Sequence, residues 1–197
     1  MDFVAGIPIE SLANASQMQR NAASEALLDL LLKELFSFGL MQTDPNFANY
    51  RWQPDSDRIV LLDFGATRIV EPETAGAYRD ILRAGIAGDV DHVRNALVAI
   101  GFVSEAQIAR HRVAINAMIA IGLEHAHTSR DGLFDFADRQ FVAVIRDLAA
   151  PVIDDSASWR LPPPDKLFLQ RKISGMVLLF TRLQARLPLL EKLGAYT

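Results

Sequence analysis

The sequence predicts a mainly α fold with a small β component (α+β), and three observations carry this prediction. Half of the 197 residues are apolar, which is enough to bury a substantial core. Apolar residues recur at helical spacing along most of the chain. Only the stretch around residues 50–63 changes to short apolar and aromatic runs on either side of a turn, which is typical of strands.

Composition and charge exclude several classes of protein. The net charge of -4 gives no general attraction to nucleic acid, so we expect no nucleic-acid partner. The chain has no cysteine, which excludes disulfides and thiolate zinc sites. The most apolar stretch, residues 26–41, contains Asp29, Lys33 and Glu34, so it falls short of the about 20 apolar residues that cross a bilayer. The acidic start of the chain does not resemble a signal peptide.

The first two elements follow from local punctuation and period. Residues 1–11 are predicted to be extended or turn-like, because Gly6 and Pro8 interrupt any regular pattern. Residues 16–38 are predicted to form a long helix that is apolar around much of its girth and therefore buried. Glu34 is the one polar residue on its apolar stripe, and Gly39 is well placed to stop the helix.

A hairpin comes next. Tyr50 to Gln53 and Arg58 to Asp63 are short strand candidates, and residues 54–57, Pro-Asp-Ser-Asp, supply the turn between them. This is the one convincing hairpin in the sequence. It places the residues before Tyr50 beside those that follow the second strand.

The rest of the chain, residues 74–197, is predicted to be helical. Glycine, aspartate and serine residues punctuate this region, and the run Pro162-Pro163-Pro164 fixes an extended approach to the last long helix. The predicted helices cover residues 74–87, 89–100, 104–125, 137–149 and 165–185.

Three polar residues around the hairpin form a candidate site. Asp44 and Pro45 follow the first helix, Asn49 enters the first strand, and Asp63 ends the second. Amide and carboxylate oxygens suit Mg²⁺, which takes one or two carboxylates and completes its octahedron with phosphate oxygens and water. Taken alone, Asp44-Pro45 is an ordinary helix-to-loop turn; the three residues together favour a site.

The order of these residues is that of a protein kinase. Kinases have a catalytic-loop aspartate, an asparagine five residues later and a hairpin that ends in Asp-Phe-Gly. Here Asp44 and Asn49 have the D-x-x-x-x-N spacing, and residues 63–65 are literally Asp-Phe-Gly. The chain departs from ordinary kinases in having Gln42-Thr43 in place of His-Arg, and no Ala-Pro-Glu follows.

Four segments together closely resemble the UbiB family of atypical kinases, also called the aarF-domain kinases: "FVAGIPIE", "FGLMQTDPNFANY", "LLDFGATR" and "PPPDKLFLQRKISG". The resemblance covers essentially the whole chain. It implies the C-terminal lobe of a protein-kinase-like fold that begins at the hinge, followed by extra C-terminal helices. Members of this family support coenzyme Q (ubiquinone) biosynthesis, so the resemblance implies an atypical kinase or ATPase that uses Mg²⁺ and ATP.

The resemblance also assigns roles. Asp44 stands at the catalytic-base position, and Asn49 and Asp63 would hold Mg²⁺ against the ATP phosphates. The hinge, whose backbone would contact the adenine edge, falls on Asp2, Phe3, Val4 and Ala5. A family-typical C-terminal segment, which we interpret as structural, is matched by Pro162, Pro163, Pro164, Arg171 and Lys172.

The resemblance begins at the hinge, so we expect the N-terminal lobe, with its phosphate-covering loop and lysine, to lie outside this chain. We therefore expect the chain alone to bind nucleotide weakly and to turn over little or no ATP. The family implies further partners in ubiquinone-biosynthesis enzymes and a lipid or membrane surface. It also implies a location on the cytoplasmic or mitochondrial-matrix side, peripheral to a membrane.

Two other readings of the sequence stay open. The first is a non-catalytic, pseudokinase-like interaction module that binds a partner enzyme or a membrane surface. The second is a relative of the aminoglycoside or choline phosphotransferases, which share the D-x-x-x-x-N pattern. The literal "DFGATR" context and the missing histidine argue against the second reading.

Overall fold

The computed structural model describes residues 4–44, 46–128, 130–158 and 164–197. They divide into two compact units. The first unit contains the described residues up to Val70 together with Asp135–Ala137 and Phe168–Leu187. The second contains Glu71–Phe134, Asp138–Leu167 and Pro188–Thr197, as far as these are described. Within the described ranges, no helix is both long and apolar enough to cross a membrane.

The first unit is built around helix α1, Gln17–Lys33. It begins at a capping box in which Ser16 and Gln19 satisfy each other's backbone N–H groups. The helix continues as a single π-helical stretch, Glu34–Phe38, and ends at Gly39 with φ of 63°. The predicted helix 16–38 corresponds to these two segments, and Gly39 supplies the left-handed residue that stops it.

The strands are short. In chain order they are β1 (Ile7–Pro8), β2 (Leu40–Gln42), β3 (Tyr50–Gln53), β4 (Arg58–Leu61), β5 (Thr67–Ile69), β6 (Phe134–Asp135) and β7 (Arg186–Leu187). Strands β1, β3 and β4 form an antiparallel sheet in that order, while β2 pairs with β5 and β6 with β7. The predicted hairpin is β3–β4, with Tyr50 opposite Leu61 and Gln53 opposite Arg58.

The core of the first unit lies between the sheet, α1 and the long helix α6, Pro164–Arg182. Side chains of α1, β2, β3 and α6 are almost completely buried there, notably Leu27, Met41, Tyr50, Trp52, Met176 and Leu179. Alternate residues of β3 are buried, which is the pattern of a strand with one face on a core.

The second unit is helical. Its helices are α2 (Pro72–Ile86), α3 (Val90–Ala99), α4 (Glu105–His127), α5 (Arg139–Asp154) and α7 (Leu189–Gly194). Side-chain caps start three of them, at Asp89, Ser104 and Asp138. The mainly α prediction is confirmed. The predicted helices differ from the observed ones by a few residues at their ends, where caps decide the boundary.

Candidate functional site

Asp44 and Asn49 lie in direct contact. The side-chain amide of Asn49 donates a hydrogen bond of 2.7 Å to Oδ2 of Asp44. The backbone N–H of Asn46 donates to the other carboxylate oxygen at 3.2 Å. A short 3-10 turn, Phe47–Asn49, carries Asn49 round to face Asp44, and Asn46 caps that turn. The loop therefore holds both oxygens of a half-buried carboxylate in place.

The hairpin brings the backbone of Asn49 beside that of Asp63. The N–H of Leu62 donates to the carbonyl of Asn49 at 3.0 Å, which extends the β3–β4 ladder by one residue pair. Asp63 follows directly and is exposed. Its Oδ1 accepts a hydrogen bond of 2.7 Å from the N–H of Gly65. The three predicted site residues thus lie on one continuous loop–hairpin segment.

The donor atoms at this place fit a hard cation. Because the amide nitrogen of Asn49 is committed to Asp44, its oxygen is the atom that remains to bind a metal. Asp63 adds a carboxylate on an exposed loop. Across the described residues, no group of three or more acidic, histidine or cysteine side chains is arranged to hold a metal ion. With two protein ligands, a Mg²⁺ ion would have its remaining positions free for phosphate oxygens and water, as it prefers.

Two buried residues precede Asp44 and fix its backbone. Thr43 is buried, and both its N–H and its hydroxyl donate to the carbonyl of Ala66, at 3.0 and 2.7 Å. Ala66 comes directly after Gly65, so Thr43 joins the loop of Asp44 to the segment that follows Asp63. The β2–β5 pairing continues this connection, with Gln42 opposite Thr67.

Gln42 belongs to a buried polar cluster, which we define as Glu34, Gln42, Tyr50 and Lys172. The ammonium group of Lys172 lies 2.6 Å from the Tyr50 hydroxyl, 3.3 Å from Oε1 of Gln42 and 3.4 Å from Oε2 of Glu34. Oε1 of Glu34 accepts the backbone N–H of Gln42 at 3.2 Å, and the Tyr50 hydroxyl reaches Oε1 of Gln42 at the same distance. All four residues are at most 4% exposed.

Burial controls the ionisation of this buried cluster. It raises the pKa of Glu34, and the neighbouring Lys172 opposes that shift. It lowers the pKa of Lys172, which Glu34 and, more distantly, Asp44 oppose. The pKa of Tyr50 is raised by burial and by the negative charges of Glu34 and Asp44, so its hydroxyl stays protonated. Because the ammonium of Lys172 donates to Tyr50 and Gln42 and lies 3.4 Å from Oε2 of Glu34, the cluster suits a lysine ion-paired with the glutamate.

The sequence pattern did not predict this cluster. Lys172 lies in a segment interpreted as structural, and Glu34 is the polar exception on an apolar helix stripe. That exception was the available signal, because a buried carboxylate needs a cation or a donor nearby. Its partner lies 138 positions further on by the residue numbers 34 and 172, beyond the reach of any local pattern.

Only part of the predicted hinge is described. Asp2 and Phe3, like Pro45, Pro162 and Pro163, lie outside the described residues. Val4 and Ala5 are exposed. The carbonyl of Ala5 accepts the Gln53 side chain at 2.9 Å, and that of Gly6 accepts the Arg51 side chain at 2.8 Å.

Two side chains of β3 therefore hold the backbone of Ala5 and Gly6, and Asn49 directly precedes the same strand. The close approach requires a glycine: a Cβ on Gly6 would lie 3.0 Å from that of Arg51.

Comparisons with known proteins point to the same family as the sequence motifs. The family model described as ABC1 atypical kinase-like domain matches residues 1–97. Residues 1–97 belong to the ABC1 atypical kinase-like family. This stretch contains Asp44, Asn49 and Asp63, and the suspected family is therefore confirmed.

Curated relatives extend the similarity across most of the chain. One is the mitochondrial atypical kinase COQ8B of Rattus norvegicus, 32% identical over 191 residues, which are 95% of this chain and 35% of the relative. Another is the mitochondrial atypical kinase COQ8 of Saccharomyces cerevisiae, 31% identical over 187 residues, 94% of this chain and 36% of the relative. The chain thus spans about a third of the length of these relatives.

A solved structure supports the fold. The complex of Rv3197 with erythromycin from Mycobacterium tuberculosis superposes with a TM-score of 0.72, at 18% identity, over 99% of this chain and 48% of that one. At this identity the likeness concerns the fold alone. Together with the family match, it confirms the predicted fold class, a mainly α, kinase-like fold.

Proposed function

We propose that this chain is the C-terminal lobe of an atypical kinase or ATPase that uses Mg–ATP in support of ubiquinone (coenzyme Q) biosynthesis. The observation that carries the proposal is the contact between Asp44 and Asn49, with Asn49 paired in the ladder to the residue before Asp63. The family match and the COQ8-type relatives support the atypical-kinase part. The link to ubiquinone rests on the resemblance of the sequence motifs.

Each residue has a role that its surroundings allow. Asp44, half-buried and held by two donors, orients or deprotonates a hydroxyl or water that attacks the terminal phosphate. Asn49, directly before β3, and Asp63, shortly after β4, offer oxygen ligands. When bound, Mg²⁺ would neutralise charge that develops on the phosphate oxygens. The backbone of the segment 2–5 would contact the adenine edge.

The partners and the location are part of the same proposal. ATP is the small-molecule ligand, and ubiquinone-biosynthesis enzymes and a lipid or membrane surface are the further partners. The relatives named above are mitochondrial. We propose that this chain lies on the cytoplasmic or mitochondrial-matrix side, at the periphery of a membrane.

One experiment tests the metal assignment. The chain is produced together with an N-terminal lobe, and its thermal-unfolding midpoint is measured with ATP, with and without Mg²⁺. We expect a Mg²⁺-dependent rise that is lost in Asp63→Asn, because the variant loses a carboxylate ligand. A rise that persists in this variant would show that Asp63 is not a ligand.

A second variant separates binding from chemistry. Asp44→Asn is expected to keep the Mg²⁺-dependent rise and to lose turnover by about 10²-fold or more, since it removes the base and leaves the ligands. Loss of binding with retained turnover would reverse the two roles. The 197-residue chain by itself is expected to show only weak nucleotide binding, and a robust ATPase rate from it would contradict the proposed dependence on a second lobe.

A non-catalytic interaction module is the second candidate. It is favoured by exposed apolar side chains on the first unit: Leu40 and Ile69 are directly opposed in the β2–β5 ladder, and both are largely exposed. Under this alternative, Asp63→Asn and Asp44→Asn leave function unchanged, whereas Leu40→Glu with Ile69→Glu abolishes partner or vesicle binding. The opposite pattern of effects would identify the catalytic function.

A further inference from the structure

Within the described part of the chain, Lys172 is the most deeply buried charged residue to which the proposed chemistry assigns no role. It is 1% exposed, and its ammonium group contacts three polar side chains of the first unit. Removing a lysine from water is costly, and a buried ion pair seldom stabilises a fold more than apolar residues of equal volume would. Fold stability alone is therefore a poor explanation for this ion pair.

The contacts converge on Gln42, the last residue of β2 and two positions before Asp44. Gln42 is held at its backbone by Glu34 and at its side chain by both Lys172 and Tyr50. Glu34 and Lys172 also pair with each other, so Gln42 contacts both members of one ion pair. Only Thr43 separates Gln42 from Asp44, and Thr43 is tied to Ala66 through two hydrogen bonds. The backbone that leads into Asp44 has no unanchored residue.

We propose that Lys172 is a positioning residue for Asp44: through Gln42, and together with Glu34, it fixes the backbone from which the Asp44 carboxylate is presented. This inference rests on the proposed function, in which Asp44 is the catalytic base. Lys172 does not touch the reacting atoms. Its effect is on the placement of Asp44, and hence on turnover, and not on the ligands Asn49 and Asp63.

The unpaired amide nitrogen of Gln42 agrees with a role for this residue in linking Lys172 to the backbone before Asp44. Among the described residues, it is one of five buried side-chain polar atoms without a hydrogen-bond partner. A glutamine that only filled the core would leave a donor unsatisfied at a cost, while leucine or methionine would not. The carbonyl oxygen of Gln42 is the useful part, because it accepts from Lys172 and Tyr50.

The test compares variants that separate stability from positioning, in the chain produced with an N-terminal lobe. Lys172→Met alone leaves Glu34 as a buried unpaired charge, so it is paired with Glu34→Gln in a double variant that buries no net charge. Lys33→Met is the matched control, because Lys33 is exposed and directly precedes Glu34. Tyr50→Phe is a milder variant that removes one acceptor of Lys172 and keeps the ion pair.

The double variant is expected to lose about 10- to 100-fold in kcat, with KM for ATP and the Asp63-dependent thermal shift essentially unchanged. Tyr50→Phe is expected to show the same split with a smaller loss, and it decides the question if the double variant does not fold. Lys33→Met should match the wild type. Equal losses in kcat and binding, or a folded double variant with wild-type kcat, would overturn the proposal.

A measurement that needs no ATP turnover tests this inference independently of the proposed function. In the 197-residue chain, amide hydrogen exchange of residues 41–49 is compared between wild type and the two cluster variants. Faster exchange confined to this segment supports the positioning role even if no ATP turnover is found for the wild type. Unchanged exchange there would overturn it, whatever the fate of the catalytic proposal.

Discussion

The amide of Asn49 donates a hydrogen bond of 2.7 Å to the carboxylate of Asp44, so the predicted metal ligand and the predicted base are directly joined. The bond leaves the amide oxygen of Asn49 for a cation and fixes one oxygen of Asp44. A change at either residue therefore acts on both. The predictions below use this coupling and the packing around it.

Replacing Asn49 with aspartate should destabilise the protein more than replacing it with alanine. The aspartate would place a second carboxylate within hydrogen-bonding distance of Asp44, and two half-buried like charges repel. We expect Asn49→Asp to cost about 1 kcal/mol more than Asn49→Ala at pH 7. Urea denaturation measures both variants, and the difference should vanish near pH 3, where carboxylates are protonated. A difference that does not depend on pH would exclude repulsion as its cause.

Substitution of Gly65 should weaken metal-dependent binding without unfolding the chain. A Cβ at this position would lie 3.1 Å from Oδ1 of Asp63, so this oxygen must shift by a few tenths of an ångström from the place where it accepts the Gly65 N–H. Because Asp63 is exposed, it can rotate away at little cost to stability. We expect Gly65→Ala to reduce Mg–ATP affinity by roughly tenfold, or about 1.4 kcal/mol, by calorimetry of the chain with its N-terminal lobe. Gly122→Ala, in α4 with open space at its Cβ, is the control and should bind normally.

Two glycines should respond to alanine in opposite directions. Gly39 ends the first long helical segment at φ of 63°, where a side chain is strained, so Gly39→Ala should cost about 1 kcal/mol. Gly76 lies inside α2 with nothing within 4 Å of its Cβ position, so Gly76→Ala should stabilise by about 0.5–1 kcal/mol. Chemical denaturation of the two variants measures the signs. Equal effects would mean that the helix does not end at Gly39.

The Glu34–Lys172 pair should be strongly coupled. Glu34→Gln and Lys172→Met each leave one buried charge without its partner, and each should cost about 3–5 kcal/mol. The double variant removes both charges and should cost much less than the sum. A double-mutant cycle from urea denaturation gives the coupling energy. Additive losses would show that the two groups do not interact as an ion pair.

Acid should remove a contribution that Asp155 makes to stability. Its hydrogen bonds and charge interactions with His111 and Arg110 hold the pKa of its carboxyl below the ordinary value of 3.8, against the opposing effect of burial. A carboxyl with a lowered folded pKa stabilises fully above its unfolded value and loses that effect as pH falls through the folded pKa. The stability difference between wild type and Asp155→Asn should thus be present at pH 6 and shrink below pH 3.8. Denaturation midpoints across this range test it, and a constant difference would contradict the pairing.

Local pattern predicted the elements that are long or strongly marked. The hairpin of β3 and β4 was predicted from two apolar runs around a turn, and the six helices α1 to α6 from their period. Strands β1, β2 and β5 were not predicted, since two or three residues show no alternation and only pairing with a distant segment makes them strands. The change to a π-helical turn at Glu34 has no sequence signal that we recognise.

The candidate site divides in the same way. Motif spacing was enough to predict Asp44, Asn49 and Asp63 as site residues, because the loop and hairpin are local. The role of Gln42 depends on Glu34, Tyr50 and Lys172, and Lys172 meets it across 130 positions. Sequence showed only that Glu34 was a polar residue on an apolar stripe. The packing of α6 decides which cation pairs with the Glu34 carboxylate.

The separation of 130 positions between Gln42 and Lys172 determines the order in which the two residues are synthesised. A chain leaves the ribosome from its N-terminus at about 5–20 residues per second, so the loop of Asp44 emerges well before Lys172 does. Until α6 emerges, the carboxylate of Glu34 has no ammonium to pair with. The side chain of Gln42 also lacks the donor that Lys172 supplies. The nascent loop that carries Asp44 therefore remains loosely anchored until the middle of α6, where Lys172 lies, has been made. Any product that ends before α6 would keep every motif of the site and lack the residue that holds it in register.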